Sequence, residues 1–139
     1  MFEKILVPLD GSEHSLKALG VAVKIALRFD GKITLIHVYS LGGFSFSATP
    51  IKEFIEATRK AGVDILADGE KRVKVKSVHV ETLLLEGHPV GQIVKACREG
   101  KFDLIVMGAR GLGKIEELLL GSVSDGVTRH ACCPVLVVK

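Results

Sequence analysis

Residues 4–39, KILVPLDGSEHSLKALGVAVKIALRFDGKITLIHVY, carry one complete strand–helix–strand unit, and its reading decides the fold. Residues 4–9 are a short apolar run closed by an Asp-Gly turn, and residues 33–39 repeat that character with more β-branched side chains. Between them Leu16, Leu19, Val23 and Leu27 recur at helical spacing, so the intervening segment is a helix that begins near Ser12 and stops at Asp30-Gly31. Strands joined through a helix run parallel, and strands this continuously apolar are covered on both faces.

The same alternation continues along the chain. Residues 40–50, SLGGFSFSATP, read as an irregular loop, and Thr49-Pro50 opens a second helix with Thr49 as its cap and Pro50 in its first turn. Ile51, Phe54, Ile55 and Ala61-Gly62 carry that helix to about Ala67, and a third strand covers residues 76–85. His88-Pro89 starts a third helix that runs through Cys97 to Gly100, and residues 102–107 form a fourth buried strand. After a glycine-bearing stretch from Gly108 to Gly121 come a fourth helix, from Ser122 to about Arg129, and a last strand, Val135–Val138. Five strands and four helices in strict alternation, with right-handed crossovers, predict an α/β fold: an open, doubly wound parallel sheet with helices on both faces. No linker or repeat divides the chain, so residues 1–139 are expected to form a single domain.

Composition removes several function classes. The net charge of +3 is small and its basic residues are interspersed with acids, which argues against nucleic acid as a partner. No apolar run approaches the roughly 20 residues of a membrane span, and the first residues lack a signal-peptide pattern, so a cytoplasmic location without membrane attachment is expected. Cys97, Cys132 and Cys133 show no C-x-x-C pairing and read as buried small apolar residues in a reducing compartment. His14, His37, His79, His88 and His130 show no metal-ligand spacing, so no metal site is expected, and His37 reads as a satisfied core or site-wall residue.

In an open parallel sheet, ligands gather at the carboxyl ends of the strands where strand order reverses, which directs attention to the loops after strands one and four. The first is Pro8-Leu9-Asp10-Gly11-Ser12. Asp10 there can accept a hydrogen bond from an exocyclic amine, or the segment can be an Asp-Gly turn leading to a Ser12 helix cap. The second follows Met107 and runs through Gly108, Arg110, Gly111, Gly113 and Lys114 to Gly121, with Ser122, Val123 and Ser124 at a helix start. Glycines let backbone approach a polyphosphate, and the free amides of Ser122, Val123 and Ser124 lie at a positive helix end. The competing account makes Gly121 a simple turn and Ser122 with Asp125 a capping box. Ile115 stands where a P-loop needs a hydroxyl, and Gly111-x-Gly113 leads to Glu116 rather than a third glycine, so neither common nucleotide fingerprint applies.

The spacing that does fit is G-x-x-G, nine residues, then G-S: Gly108, Gly111, Gly121 and Ser122. Together with ILVPLDGSE at the start, LIHVY in the second strand and CPVLVVK at the end, it resembles the universal stress protein family, in its ATP-binding branch, over essentially the whole chain. The resemblance implies a Rossmann-like sheet of order 3-2-1-4-5 holding ATP, with magnesium, at the tips of strands one and four. It implies that Asp10 meets the adenine edge and Val38 packs on the base, that Gly108 and Gly111 lie along ribose and phosphates, and that Gly121, Ser122 and Val123 hold the phosphates. Pro8, Leu9, Met107 and Ser124 belong to the same strand tips and helix start; Arg110 and Lys114, which the resemblance does not supply, fall inside the cradle and either neutralise charge or point into solvent, the latter reading favoured for Lys114. Glu116, Glu117 and Asp125 place acids near the cradle, which makes magnesium a requirement for tight binding. The family also pairs through its last strand, so a homodimer through Val135–Val138 is expected.

No serine or histidine has an evident base and orienting acid, so the chain reads as a nucleotide-responsive stress or regulatory protein that binds rather than turns over. Two alternatives remain open: a slow ATP-hydrolysing or adenylyl-transferring enzyme drawing on Asp125, His14 or Ser124, and a ligand-free dimerisation module.

Overall fold

The computed structural model describes residues 1–41, 51–111 and 119–139. Expectations for Thr49-Pro50, for the rest of the loop up to residue 50, and for Gly113, Lys114, Ile115, Glu116 and Glu117 lie outside the described residues. Along the chain come β1 (Lys4–Pro8), α1 (Glu13–Phe29), β2 (Lys32–Tyr39), α2 (Ile51–Lys74), β3 (Val80–Glu86), α3 (Pro89–Glu99), β4 (Leu104–Gly108), α4 (Ser122–His130) and β5 (Val135–Val138). The strands form one sheet of order β3-β2-β1-β4-β5, with every pairing parallel. This is the 3-2-1-4-5 arrangement the resemblance implied.

Alternation within the strands builds two cores. Ile5 and Val7 of β1, Ile33 and Leu35 of β2, and Leu104 and Val106 of β4 face one side, against Ala18, Leu19, Ala22, Val23 and Ala26 of α1 and Leu66 and Val73 of α2. Leu6, Ile36, Ile105 and Met107 face the other, against Ile93 and Cys97 of α3 and Val127 of α4. Each of the larger aliphatic side chains removed from water in these layers contributes about 1.5–3 kcal/mol, which is why central strands carry no polar alternation.

Two helices differ from the sequence expectation. In α1 the buried face is Ser15, Ala18, Leu19, Ala22, Val23 and Ala26, while Leu27 is 56% exposed. The alanines, invisible to a search for large apolar residues, allow the helix to lie close to the sheet. In α2 the helix runs seven residues past Ala67, to Lys74, and β3 starts only at Val80. Asp68-Gly69 looks like a stop signal, but Gly69 is buried inside the helix because a Cβ there would stand 2.5 Å from Leu9 Cδ1 and 3.0 Å from Leu35 Cδ1. Gly62, two turns earlier, faces His37 and Leu84 in the same way. The glycines are contact points, and Arg72–Asp68 and Lys74–Glu70 pairs at i,i+4 line the extra turns.

Because β1 pairs with β2 on one side and β4 on the other, chain connections diverge there and leave a crevice at the carboxyl ends of β1 and β4. The backbone fixes this end. Leu9 N–H donates to Ile36 O at 2.8 Å, Ala109 N–H to Val138 O at 2.8 Å, and Gly121 N–H returns to Ala109 O at 2.7 Å. The start of α4 is therefore anchored to the tip of β4.

Candidate functional site

A cavity of about 280 Å³ occupies that crevice. Its wall brings together twelve of the residues proposed from the sequence, Lys114 lying outside the described residues: Pro8, Leu9 and Asp10 after β1, Val38 on β2, Met107, Gly108, Arg110 and Gly111 at β4, and Gly121, Ser122, Val123 and Ser124 at the start of α4. Four further residues line it: Ser15, Ile36, Pro89 and Ile93. Ile36 precedes Val38 by two and so shares its face of the strand, a signal the sequence contained. Pro89 and Ile93 arrive from α3, which follows the strand at the far edge of the sheet, and only the packing of α3 against the second core brings them here.

The two loops do different work. After β1, Asp10 Oδ1 accepts from Ser12 N–H at 2.9 Å, and Ser12 Oγ accepts from Ser15 N–H at 3.1 Å, so the turn and the helix cap both exist. Asp10 keeps its other oxygen, Oδ2, directed at the opposite loop, where a Cβ added to Gly111 would stand 2.5 Å from it. The turn is therefore compatible with a carboxylate oxygen that has no hydrogen-bond partner among the described residues. His37 donates from Nδ1 to Leu9 O at 2.7 Å; a carbonyl only accepts, so the ring carries its proton on Nδ1 and braces the tip of β1 from the α2 side.

At α4 the expected alternative, a capping box, does not form. Gly121 is the N-cap, with φ −61 and ψ 158, and no side chain caps the helix. The Asp125 carboxylate instead takes Arg129 Nε at 3.1 and 3.2 Å. Among the described residues the amides of Ser122, Val123 and Ser124 have no acceptor, as the first turn of a helix dictates. The Ser124 hydroxyl is buried and donates to Ala109 O at 2.8 Å and Gly121 O at 3.0 Å, so this side chain clamps the loop while its amide remains available. Arg110 is the one lysine or arginine in the described wall, and Asp10 the one carboxylate.

Gly108 has a second reason to be glycine: a Cβ there would meet the backbone of His14 at 2.8–2.9 Å. His14 itself has a buried Nδ1 with no partner among the described residues, and it does not line the cavity. The reading of three buried cysteines is corrected: Cys97 is buried, Cys133 is half-buried and Cys132 is exposed. No group of three or more His, Cys, Asp or Glu among the described residues is disposed to hold a metal ion, and no described helix is long and apolar enough to cross a membrane.

Comparison with known proteins places this arrangement in context. The profile described as Universal stress protein family matches residues 1–139. A universal stress protein of Methanocaldococcus jannaschii is 39% identical over 141 residues, covering 100% of this chain and 83% of its own length. Among solved structures, the universal stress protein UspA from Lactobacillus plantarum superposes with a TM-score of 0.86 at 28% identity, over 99% of this chain and 98% of that one. A universal stress protein in complex with cAMP superposes with a TM-score of 0.76 at 30% identity, over 99% and 97% of the two chains.

Proposed function

The chain belongs to the universal stress protein family, and on that premise we propose that it binds ATP, with magnesium, in the cavity at the tips of β1 and β4. The observation that carries this reading is the uncapped start of α4: three unpartnered amides at the positive end of a helix, beside Gly111 and Arg110, form a cradle suited to phosphate oxygens. Asp10 Oδ2 is the acceptor for the adenine amine, and Ile36, Val38, Ile93 and Met107 supply the apolar surface for the base. The cavity is near the lower end of the about 300–1,000 Å³ usual for small-molecule sites, enough for a nucleoside with its phosphates running along the α4 side. No carboxylate of the described wall lies at the phosphate end, so magnesium would enter with the phosphates and would supply charge screening beside Arg110.

The chain acts by binding rather than turnover. Of the three groups that could serve hydrolysis, Asp125 is paired with Arg129 and the Ser124 hydroxyl is committed to two carbonyls, which leaves His14, with no orienting acid among the described residues. Occupancy is the signal of a stress or regulatory protein, read by a partner or through a dimer. The dimer forms along β5, a sheet edge that exposes Leu136 (39% accessible).

Mass spectrometry of nucleotide released from freshly purified protein, followed by calorimetric titration with ATP, ADP and AMP plus magnesium, tests the site. Co-purified ATP, with no multiple turnover on incubation, is the expected result. Absence of any released or titrated nucleotide would make the cradle a purely structural turn. Gel filtration is expected to give a dimer that Leu136→Glu converts to monomer, and a monomeric parent at micromolar concentration would remove the β5 pairing.

A further inference from the structure

We propose that Cys97, Cys132 and Cys133 form a peroxide-sensitive thiol site, in which oxidation joins Cys97 to Cys133 in an internal disulfide. Cys97 Sγ lies 3.2 Å from Cys133 Sγ and 3.8 Å from Cys132 Sγ, so one sulfur contacts both others. The three come from two places in the chain: Cys97 from the last turns of α3, and Cys132 and Cys133 from the turn between α4 and β5. Their exposure is graded, with Cys132 at the surface, Cys133 half-buried and Cys97 fully buried in the second core. None of them lines the cavity, so the proposal stands apart from nucleotide binding.

The gradation sets an order of events. Burial, reinforced by the neighbouring Cys133 thiol, pushes the Cys97 thiol up, and burial does the same to Cys133, so the inner pair stays protonated and unreactive in the reduced protein. Cys132 is the sulfur that meets solvent. Its thiolate attacks a hydroperoxide, the O–O bond breaks, and alcohol or water leaves, giving a sulfenic acid at Cys132. Cys97 Sγ attacks that sulfur; its proton departs with the hydroxyl as water, and a Cys97–Cys132 disulfide forms. Cys133 Sγ then attacks Cys97 Sγ, and Cys132 leaves as a thiolate that takes up the proton lost by Cys133. In total two thiols and one hydroperoxide become one disulfide, one water and one alcohol, or two waters where the oxidant is hydrogen peroxide. The sulfurs of Cys97 and Cys133 must close by roughly 1 Å to reach the about 2.05 Å of a disulfide. The link ties α3, which lends Pro89 and Ile93 to the cavity, to the residues entering the edge strand β5.

The test treats fully reduced, full-length protein with a small excess of hydrogen peroxide. Titratable thiols are expected to fall from three to one, with the chain losing the mass of two hydrogens and remaining uncrosslinked to other chains. Closing so long a loop should raise Tm by about 10 °C, reversed by dithiothreitol. Two variants leave the buried sulfur untouched. Cys132→Ser should slow oxidation by about tenfold or more, because the exposed entry thiol is gone. Cys133→Ser should still oxidise but stop at Cys97–Cys132, as peptide mapping reads. Retention of all three thiols, a Cys132–Cys133 bridge, a crosslink between chains through Cys132, or sulfinic acid at Cys132 with no bridge to Cys97 would each overturn the proposal.

Discussion

Two helices start beside the same cavity and end their backbones in opposite ways. At α1 two of the first four amides are satisfied by local side chains: Asp10 takes the Ser12 amide and Ser12 takes that of Ser15. At α4 the N-cap is Gly121, which has no side chain to offer, and the nearest acid, Asp125, is drawn along the helix to Arg129. A helix N-terminus is an anion site only when its own side chains have not already filled it. One end of the cavity thus has side-chain caps and the other has none, and that asymmetry orients the proposed nucleotide: base toward Asp10, phosphates toward α4.

The comparison can be broken by making the uncapped end resemble the capped one. Gly121→Asp supplies a carboxylate cap, and its φ and ψ are those any residue adopts. ATP affinity measured by calorimetry should fall about a hundredfold or more, since the carboxylate takes an amide and repels phosphate. Tight ATP binding by this variant would mean that the phosphates do not use α4.

A second pair of changes separates glycines that serve the ligand from those that serve packing. Gly108→Ala drives a methyl against the His14 backbone, which cannot step aside; a loss of about 1–3 kcal/mol is expected, read as a Tm lower by about 5–10 °C. Among the described residues Gly111→Ala meets only the tip of the Asp10 side chain, so its stability should hold while ATP affinity drops roughly tenfold from displacement of Oδ2. Equal Tm losses in the two variants would erase the distinction.

The smallest effect tests the capped end. Ser12→Ala removes the α1 cap and should cost about 1 kcal/mol, a Tm shift of roughly 3–5 °C in denaturation, with ATP affinity unchanged. A large loss of affinity would show that the α1 start also touches the nucleotide.

Much of this was legible beforehand, and the exceptions have common causes. Ser12 as a cap, Asp30-Gly31 as a stop and Val135–Val138 as a strand were read from residue type and spacing alone, and Asp30 closes α1 at φ 55. Leu27 was misjudged because residue size was taken for burial, whereas α1 packs closely through small side chains such as Ala26. The end of α2, expected at about Ala67, falls at Lys74, because a glycine such as Gly69 can be a point of contact inside a helix as readily as a turn.

The sequence by itself determined the alternation of strands and helices and the glycine spacing that marks the site, since both are local patterns of polarity and backbone freedom written in consecutive residues. Only the tertiary structure decided which helix end stayed uncapped, which glycines face another backbone, and that Cys97 meets Cys132 and Cys133 from 35 and 36 positions away. Those outcomes depend on the surface that the folded chain presents to each residue, and no stretch of sequence contains its own opposing surface.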